Sequence, residues 1–247
     1  MSIFALSRRG LIGGALAVPA LAALSSKALA ETWAEKWDRE IKQDFSMQGR
    51  YRADNERIIA AHEKVDVVFL GDSITEGWKD KRPAFFTPGR VGRGIGGQTT
   101  PQMLVRMMPD VVDLKPRAVH IMAGTNDIAG NTGAMTQEMT RDNIRAMTAI
   151  ARHHKIKVLL ASIPPAANFP WRAGLETVTP IHELNTWLKS YSAEIGATYV
   201  DYHPVLADAA GGMLPGLAYD GVHPTEAGYD AMATVINPIL ERALARA

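Results

Sequence analysis

The chain has 247 residues, of which 47% are hydrophobic and 21% are charged, and its formal net charge is +1 at pH 7. This composition is typical of a globular protein and argues against intrinsic disorder. The near-neutral charge argues against a dedicated nucleic-acid-binding protein, which usually carries a basic excess. The chain contains no cysteine. Disulfide bonds, cysteine-ligated metals, thiol catalysis and a lipidated N-terminal cysteine are therefore not expected.

Residues 1–30 have the composition of an export signal. They include three basic residues and no acidic residue, and residues 11–24 form an apolar run. That run is shorter than the roughly 20 apolar residues that a membrane-spanning helix needs. Ala28-Leu29-Ala30 then supplies the small-x-small pattern that precedes signal peptidase cleavage. We predict that residues 1–30 are a signal peptide and that the mature chain begins near Glu31.

The segment Ser7-Arg8-Arg9-Gly10-Leu11 resembles the twin-arginine export motif, although the usual aromatic residue and trailing lysine are missing. The alternatives are an ordinary secretory signal and a membrane anchor. Either export route predicts a periplasmic or secreted protein with no stable membrane anchor after cleavage. We divide the chain into the signal at 1–30, an N-terminal helical segment at 31–62 that packs on the main domain, and that domain at 63–247.

Beyond the signal, short apolar runs alternate with longer amphipathic stretches. The segment 33–62 is mostly polar, but its apolar residues recur at helical spacing, which predicts one or two surface helices. The apolar runs predict strands at Val65–Leu70, Val91–Ile95, Ala118–Ala123, Val158–Ile163 and Thr198–Tyr202. The amphipathic stretches predict helices at Thr100–Met108, Gln137–His154, Ile181–Ile195 and Thr225–Leu244. The pattern predicts one α/β domain with a five-stranded parallel sheet buried between helices.

Polar, glycine-containing segments follow three of these strands and precede the last helix. They are Gly71-Asp72-Ser73, Gly96-Gly97-Gln98-Thr99, Gly124-Thr125-Asn126-Asp127 and Asp220-Gly221-Val222-His223. Ligands of open parallel sheets bind outside the carboxyl ends of the strands. We therefore expect the four segments to meet at one edge of the sheet.

These segments contain the residue types that acyl transfer requires. A hydroxyl such as that of Ser73 needs a base, and the base needs a carboxylate to orient it. Asp220 and His223 lie three residues apart, so the carboxylate can reach one ring nitrogen while the other faces the serine. The backbone N–H groups of Ser73 and Gly97 and the side-chain amide of Asn126 could together stabilise an oxyanion.

The four segments, with Ile74-Thr75-Glu76-Gly77 after the first and Pro224 after the last, resemble the four blocks of the GDSL, or SGNH, hydrolases. They occur in the order of that family and span residues 65–240, approximately. The resemblance is greatest to members of the platelet-activating-factor acetylhydrolase, lysophospholipase and arylesterase types. It implies a three-layer α/β/α flavodoxin-like fold and no metal or organic cofactor. It also implies Ser73 as nucleophile, Gly97 and Asn126 as oxyanion donors, and an Asp220–His223 pair.

One position departs from the pattern of the family. The residue after Gly97 is often acidic in that family, and here it is Gln98. The departure bears on substrate preference more than on activity. Gly92-Arg93-Gly94-Ile95-Gly96-Gly97 also matches a dinucleotide-binding pattern, but its glycines lie partly within a predicted strand, which argues against that site.

Other residues have simpler structural interpretations. Asp201-Tyr202-His203 also pairs an acid with a histidine, and His203 is the one rival to His223 as the base. Asp72 is expected to support the turn rather than to act in catalysis. His120 is expected to be a buried structural residue. Surface positions are expected for four other histidines: His62, His153, His154 and His182. Met103, Met107 and Met108 are expected in the core. Trp78 and Trp171 are the candidates for walls of a substrate cleft.

The sequence thus predicts a secreted serine esterase acting on acyl esters, with acetyl and other short chains favoured. The substrate would be a small-molecule, glycan or lipid ester, and no nucleic acid or metal is expected to take part. Two alternatives use the same residues differently: an O-acetyltransferase that acylates an envelope glycan, and a catalytically silent binding module. The oligomeric state and the identity of the ester are left open by the sequence.

Overall fold

The structure is a computed structural model that describes residues 32–245. The predicted signal peptide, including the twin-arginine-like motif, lies outside these residues and stays a prediction. Within residues 32–245, no helix combines the length and the apolar character that crossing a membrane requires.

The described residues alternate between strands and helices along most of their length. The strands are β1 Val67–Gly71, β2 Arg90–Gly94, β3 Ala118–Met122, β4 Lys157–Ala161 and β5 Thr198–Val200. The helices are α1 Trp33–Gln43, α2 Arg52–Ala60, α3 Ser73–Lys81, α4 Thr100–Val105, α5 Met107–Asp110, α6 Thr125–Ala129, α7 Gln137–His153, α8 Val178–Glu194, α9 His203–Leu206 and α10 Glu226–Ala245. Short 3-10 turns occupy Gln48–Arg50, Pro83–Phe85 and Val112–Leu114.

The five strands form one parallel sheet in the order β2-β1-β3-β4-β5. All residues of β1 and β3 are buried. Burial on both faces explains why these strands read as continuous apolar runs rather than as alternating ones. The prediction of a five-stranded parallel sheet is confirmed.

Helices cover both faces of the sheet. The chain moves from β1 to β2 on one side and then crosses to β3 on the other side of β1. Because crossovers between parallel strands are right-handed, the helices of these two connections lie on opposite faces of the sheet. On one face, α3 and α10 are joined where the Tyr229 hydroxyl donates to the Ile74 carbonyl at 2.9 Å. On the other face, α7 and α8 meet where the Thr148 and Tyr191 hydroxyls lie 2.9 Å apart. The predicted three-layer α/β/α fold is confirmed.

The helix predicted at 100–108 is divided into α4 and α5 at Arg106. Pro109 accounts for this interruption, because a proline ring clashes with the carbonyl four residues earlier and ends a continuous helix. Met103 and Met107 are buried as expected, but Met108 is 45% exposed, so its predicted place in the core is wrong.

The carboxyl ends of β1, β2 and β3 lie side by side, with Gly71 in register with Gly94 and with Met122. The strand order reverses between β1 and β3, which is where such sheets form a ligand-binding crevice. Gly94 has a packing role here, because a β-carbon on it would lie 2.1 Å from the backbone nitrogen of Glu76 in α3. Close approach of β2 to α3 thus explains this glycine of the 92–97 pattern.

Candidate active site

Ser73 is presented by the turn between β1 and α3. Asp72 caps α3, and its Oδ1 accepts the backbone N–H of Ile74 at 2.9 Å. Asp72 is buried, and burial raises its pKa to about 6, although the Ile74 N–H opposes the shift. The cap fixes Ser73 as the first residue of the helix, where the positive end of the helix dipole favours a developing negative charge. Asp72 therefore has the supporting position that its sequence context indicates.

A chain of hydrogen bonds connects Ser73 to His223 and Asp220. The Ser73 Oγ lies 2.9 Å from His223 Nε2, and His223 Nδ1 lies 2.7 Å from Asp220 Oδ2. The second oxygen of Asp220 accepts the backbone N–H groups of Val222 at 3.0 Å and His223 at 2.7 Å. Partial burial alone would raise the pKa of Asp220, but these hydrogen bonds from His223 and Val222 lower it below its ordinary value. The carboxylate is therefore ionised and directed at the imidazole.

Two aromatic rings pack against the imidazole of His223. The Tyr219 ring stacks on it with centroids 5.6 Å apart and planes 15° apart. The Trp171 ring lies 5.9 Å away at 40°. Trp171 is itself stacked on the fully buried Phe169, at 5.2 Å and 10°. The ring of His223 is thus oriented by packing as well as by its hydrogen bond to Asp220.

The side-chain amide of Asn126 is oriented by its neighbours. Its Nδ2 donates to the Gln98 carbonyl at 3.0 Å, and its Oδ1 accepts from Asn131 Nδ2 at 2.9 Å. Asn131 Oδ1 in turn accepts from Trp171 Nε1 at 3.1 Å. These bonds fix which side of the Asn126 amide carries nitrogen. The amide has two N–H groups, so one remains for a ligand in the cavity.

Glu76 fixes the loop that carries Gly97. The Glu76 carboxylate accepts the backbone N–H of Gly96 at 2.8 Å and pairs with Arg50 at 2.5 Å. Gly97 has a φ of +77°, which favours glycine. Its backbone N–H has no acceptor among the described residues. It is therefore available to a bound ligand.

Ser73, Gly97, Asn126 and His223 all line one cavity of about 530 Å³. Asp220 lies behind His223. The structure therefore brings together the five residues that the sequence singled out. The remaining lining residues are Trp37, Glu76, Gly96, Gly130, Asn131, Trp171 and Arg172. Of these, Trp171 was predicted as a cleft wall.

Trp78 does not line the cavity, so its prediction as a cleft residue is wrong. It is fully buried and stacks between Phe85 at 4.5 Å and Tyr229 at 5.6 Å. Trp78 follows Ser73 by five residues on α3, which rotates its side chain by about 140° around the helix axis. The indole therefore points into the core between α3 and α10.

The other histidines lie away from Ser73. His203 Nε2 is within hydrogen-bonding distance of the Ile163 carbonyl at 2.8 Å and of Asn185 Nδ2 at 2.9 Å, and the residue does not border the cavity. His120 is buried as expected, with its Nε2 3.0 Å from the Tyr202 hydroxyl, and burial lowers its pKa to about 3. The four histidines expected at the surface are exposed: His62, His153, His154 and His182.

Gln98 is directed away from the cavity. Its Oε1 accepts from Arg106 Nε at 2.7 Å and its Nε2 donates to the Ser46 carbonyl at 2.7 Å, with all of the side chain buried. The residue that departs from the family pattern therefore contributes its backbone carbonyl to Asn126 and its side chain to the interior. Within residues 32–245, no group of three or more side chains is arranged to bind a metal ion.

Six cavity residues were not predicted: the glycines Gly96 and Gly130, and Trp37, Glu76, Asn131 and Arg172, which bring side chains to it. Glu76 stands in the first block, but nothing in the sequence around it shows that its carboxylate reaches the Gly96 N–H. Asn131 follows Asn126 by five residues and is brought back to it by Gly130, which has a φ of +68° and ends α6. An asparagine just after a helix-ending glycine is a signal that could have been used.

Comparison with known proteins agrees with the fold. Residues 69–231 match the family described as GDSL-like lipase/acylhydrolase. A GDSL-like lipase from Bacteroides thetaiotaomicron is 40% identical, with a TM-score of 0.76 over 81% of this chain and 100% of that chain. A candidate acylhydrolase from Bacteroides fragilis is also 40% identical, with a TM-score of 0.77 over 81% of this chain and 99% of that chain.

A curated relative is similar over a shorter region. The uncharacterised lipoprotein YqeF of Bacillus subtilis is 35% identical over 118 residues, which are 40% of this chain and 49% of that protein. The match thus spans about half the length of YqeF. Together with the family match over most of the sheet, these comparisons show that the chain belongs to the GDSL-like lipase/acylhydrolase family and is an ester-hydrolysing serine hydrolase.

Proposed function

We propose that the chain is an exported esterase whose nucleophile is Ser73 and whose base is His223, oriented by Asp220. The observation that carries this proposal is the pair of short contacts from Ser73 Oγ to His223 Nε2 at 2.9 Å and from His223 Nδ1 to Asp220 Oδ2 at 2.7 Å. A hydroxyl, an imidazole and a carboxylate joined in this order are the requirement for nucleophilic acyl transfer.

In the reaction, His223 Nε2 takes the Ser73 proton as Oγ attacks the ester carbonyl. The negative charge that develops on the carbonyl oxygen is met by the N–H groups of Ser73 and Gly97 and by the free N–H of Asn126. His223 then protonates the departing alcohol. A water molecule, activated by the same imidazole, attacks the acyl-enzyme and releases the acid.

The walls of the cavity favour short acyl groups such as acetyl. None of its lining residues in the described part of the chain is Leu, Ile, Val or Met. A long acyl chain gains affinity by burying its methylenes at about 0.8 kcal/mol each, and this requires apolar walls. The rings of Trp37 and Trp171 are the apolar walls, and the small and polar residues around Gly97 and Asn126 add no aliphatic surface along which a long acyl chain could lie.

The location of the enzyme outside the cytoplasm is supported by the predicted signal at 1–30 and by its similarity to a lipoprotein. We assign the twin-arginine route to this export. Replacing Arg8 and Arg9 with lysine should keep the enzyme in the cytoplasm as an uncleaved precursor. Normal processing of that variant would instead favour the general secretory route.

The activity is tested with p-nitrophenyl esters of increasing acyl length. We expect kcat/KM to be highest for acetate and to fall for octanoate, and Ser73→Ala to abolish turnover. A fluorophosphonate probe should label the wild type and not Ser73→Ala. Absence of labelling in the wild type would favour a silent binding module. A sugar acceptor in the assay, with analysis for acetylated sugar, separates hydrolysis from acyl transfer.

A further inference from the structure

We propose that Arg172 recognises a negative charge on the alcohol portion of the substrate, so that the enzyme prefers esters of anionic, ring-bearing alcohols such as carboxylated or phosphorylated sugars. This inference rests on the proposed function, because it assigns the substrate class of the same site. It follows from three features of the cavity: the position of the departing alcohol beside His223, the Trp171 ring next to that position, and the unpaired guanidinium of Arg172.

The departing alcohol must lie next to His223, because this imidazole returns the proton to the alcohol oxygen. The Trp171 ring is the cavity wall beside that imidazole, with its centroid 5.9 Å from the His223 ring. Trp171 is 40% exposed, although Phe169 covers one of its faces. Its indole N–H is engaged by Asn131. What remains is a fixed, flat, apolar surface suited to the face of a ring.

Arg172 follows Trp171 and brings a cation to the same wall. Its backbone is fixed in a turn: its N–H donates to the Phe169 carbonyl at 2.8 Å, and its carbonyl accepts from Leu175 at 3.1 Å. The guanidinium lies against the backbone of Gly130, since a β-carbon on Gly130 would be 3.4 Å from Arg172 Nη2. The charge is thus presented at the cavity by an ordered turn.

This charge is not neutralised within the described residues. The Arg172 side chain makes no ion pair or hydrogen bond there. Glu76 is the one carboxylate among the described lining residues, and it is already satisfied by Arg50 and by the Gly96 N–H. An unpaired guanidinium beside an aromatic wall can bind a carboxylate or a phosphate through two parallel hydrogen bonds. Both anions share this chemistry.

The test compares three esters that share one sugar ring: glucose, glucuronic acid and glucose 6-phosphate, each acetylated on the same hydroxyl. Release of acetate gives kcat/KM for each ester with the wild type, Arg172→Gln and Arg152→Gln. Arg152 is an exposed arginine on α7, away from the cavity, and serves as the matched control. We expect the wild type and the control to prefer a charged ester by about tenfold, the size of one charge-assisted hydrogen bond.

In Arg172→Gln the preference for a charged ester should disappear, so that kcat/KM is about equal for the three esters. In the wild type it should also weaken between 50 and 500 mM NaCl, because salt screens the ion pair. A preference for only one of the two charged esters identifies the anion as carboxylate or phosphate. Equal kcat/KM for all three esters, or a preference that survives Arg172→Gln, would overturn this inference alone. No hydrolysis of any ester together with no labelling of Ser73 would overturn the proposed function as well.

Discussion

The change Asn131→Ala should slow catalysis by loosening Asn126. Asn131 Nδ2 donates to Asn126 Oδ1 at 2.9 Å and to the Gly97 carbonyl at 3.3 Å. These bonds require that the oxygen of the Asn126 amide faces Asn131, so that a nitrogen-bound hydrogen faces the cavity. Without Asn131, the bond from Asn126 to the Gln98 carbonyl is what remains to hold this orientation.

The magnitude follows from the number of bonds lost. Complete loss of one oxyanion donor costs on the order of 3 kcal/mol, or about a hundredfold in kcat. Asn131→Ala removes three hydrogen bonds: one to Asn126, a longer one to Gly97 and one from the Trp171 indole. The first two hold the oxyanion donors and together supply about 1–2 kcal/mol of orientation. We therefore expect kcat to fall about tenfold and KM to change little, because the oxyanion donors act mainly in the transition state.

A double-mutant cycle with p-nitrophenyl acetate tests the pathway. Asn126→Ala should lose about a hundredfold in kcat, and the double variant should lose no more, because Asn131 acts through Asn126. Independent action would give about a thousandfold loss. Asn237→Ala, at an asparagine bonded to Arg90 away from the cavity, controls for the loss of an amide. Wild-type kcat in Asn131→Ala, or a thousandfold loss in the double variant, would refute the orienting role.

Three further outcomes are expected. His223→Ala should lower kcat by at least about a thousandfold and His203→Ala should leave it close to wild type; the reverse result would make His203 the base. Burial raises the pKa of Asp72 to about 6, so stability that is present near pH 4 is lost as the pH rises through 6. Asp72→Asn keeps the helix cap and removes the buried charge. Urea unfolding should therefore show that this variant has a free energy of unfolding about 3 kcal/mol above that of the wild type at pH 8 and little above it at pH 4. An equal increase at both pH values would contradict the raised pKa of Asp72. Gly94→Ala places a β-carbon 2.1 Å from a backbone nitrogen of α3 and should destabilise by about 3 kcal/mol in thermal melts. Gly49→Ala, with its nearest atom at 3.6 Å, is the control and should melt like the wild type.

The strands and the four polar segments were predictable because their signals are local. A run such as Val67–Leu70 is apolar on both faces, and the polar Asp72 and Ser73 follow where the strand ends. The order of the strands puts those ends side by side, as the parallel fold class requires. Asp220 and His223 lie three residues apart in one turn, and their match to the last block of the family distinguished them from the rival pair Asp201 and His203.

Side-chain direction on a helix was less predictable. Trp78 and Trp171 were both proposed as cleft walls, and one of them is in the core. Proximity to Ser73 in sequence suggested Trp78, but rotation along α3 turns it away from the cavity. Trp171 lies almost a hundred residues from Ser73, and stacking on Phe169 directs it to His223. Contacts of this kind depend on tertiary packing, which periodicity does not report.

Residues of the N-terminal segment, which precede the first block of the family pattern, help to build the cavity. Trp37 of α1 lines the cavity, and Arg50 holds Glu76, which holds the Gly96 N–H. The Tyr51 hydroxyl donates to the carbonyl of Gly94, the last residue of β2 before that loop. Each of these hydrogen bonds joins residues at least 20 positions apart, so no local pattern predicts them. The predicted division at residue 63 follows the end of the N-terminal helical segment. Arg50 and Tyr51 lie before that division and hold the loop that presents Gly97. The structural unit that builds the cavity therefore begins at α1.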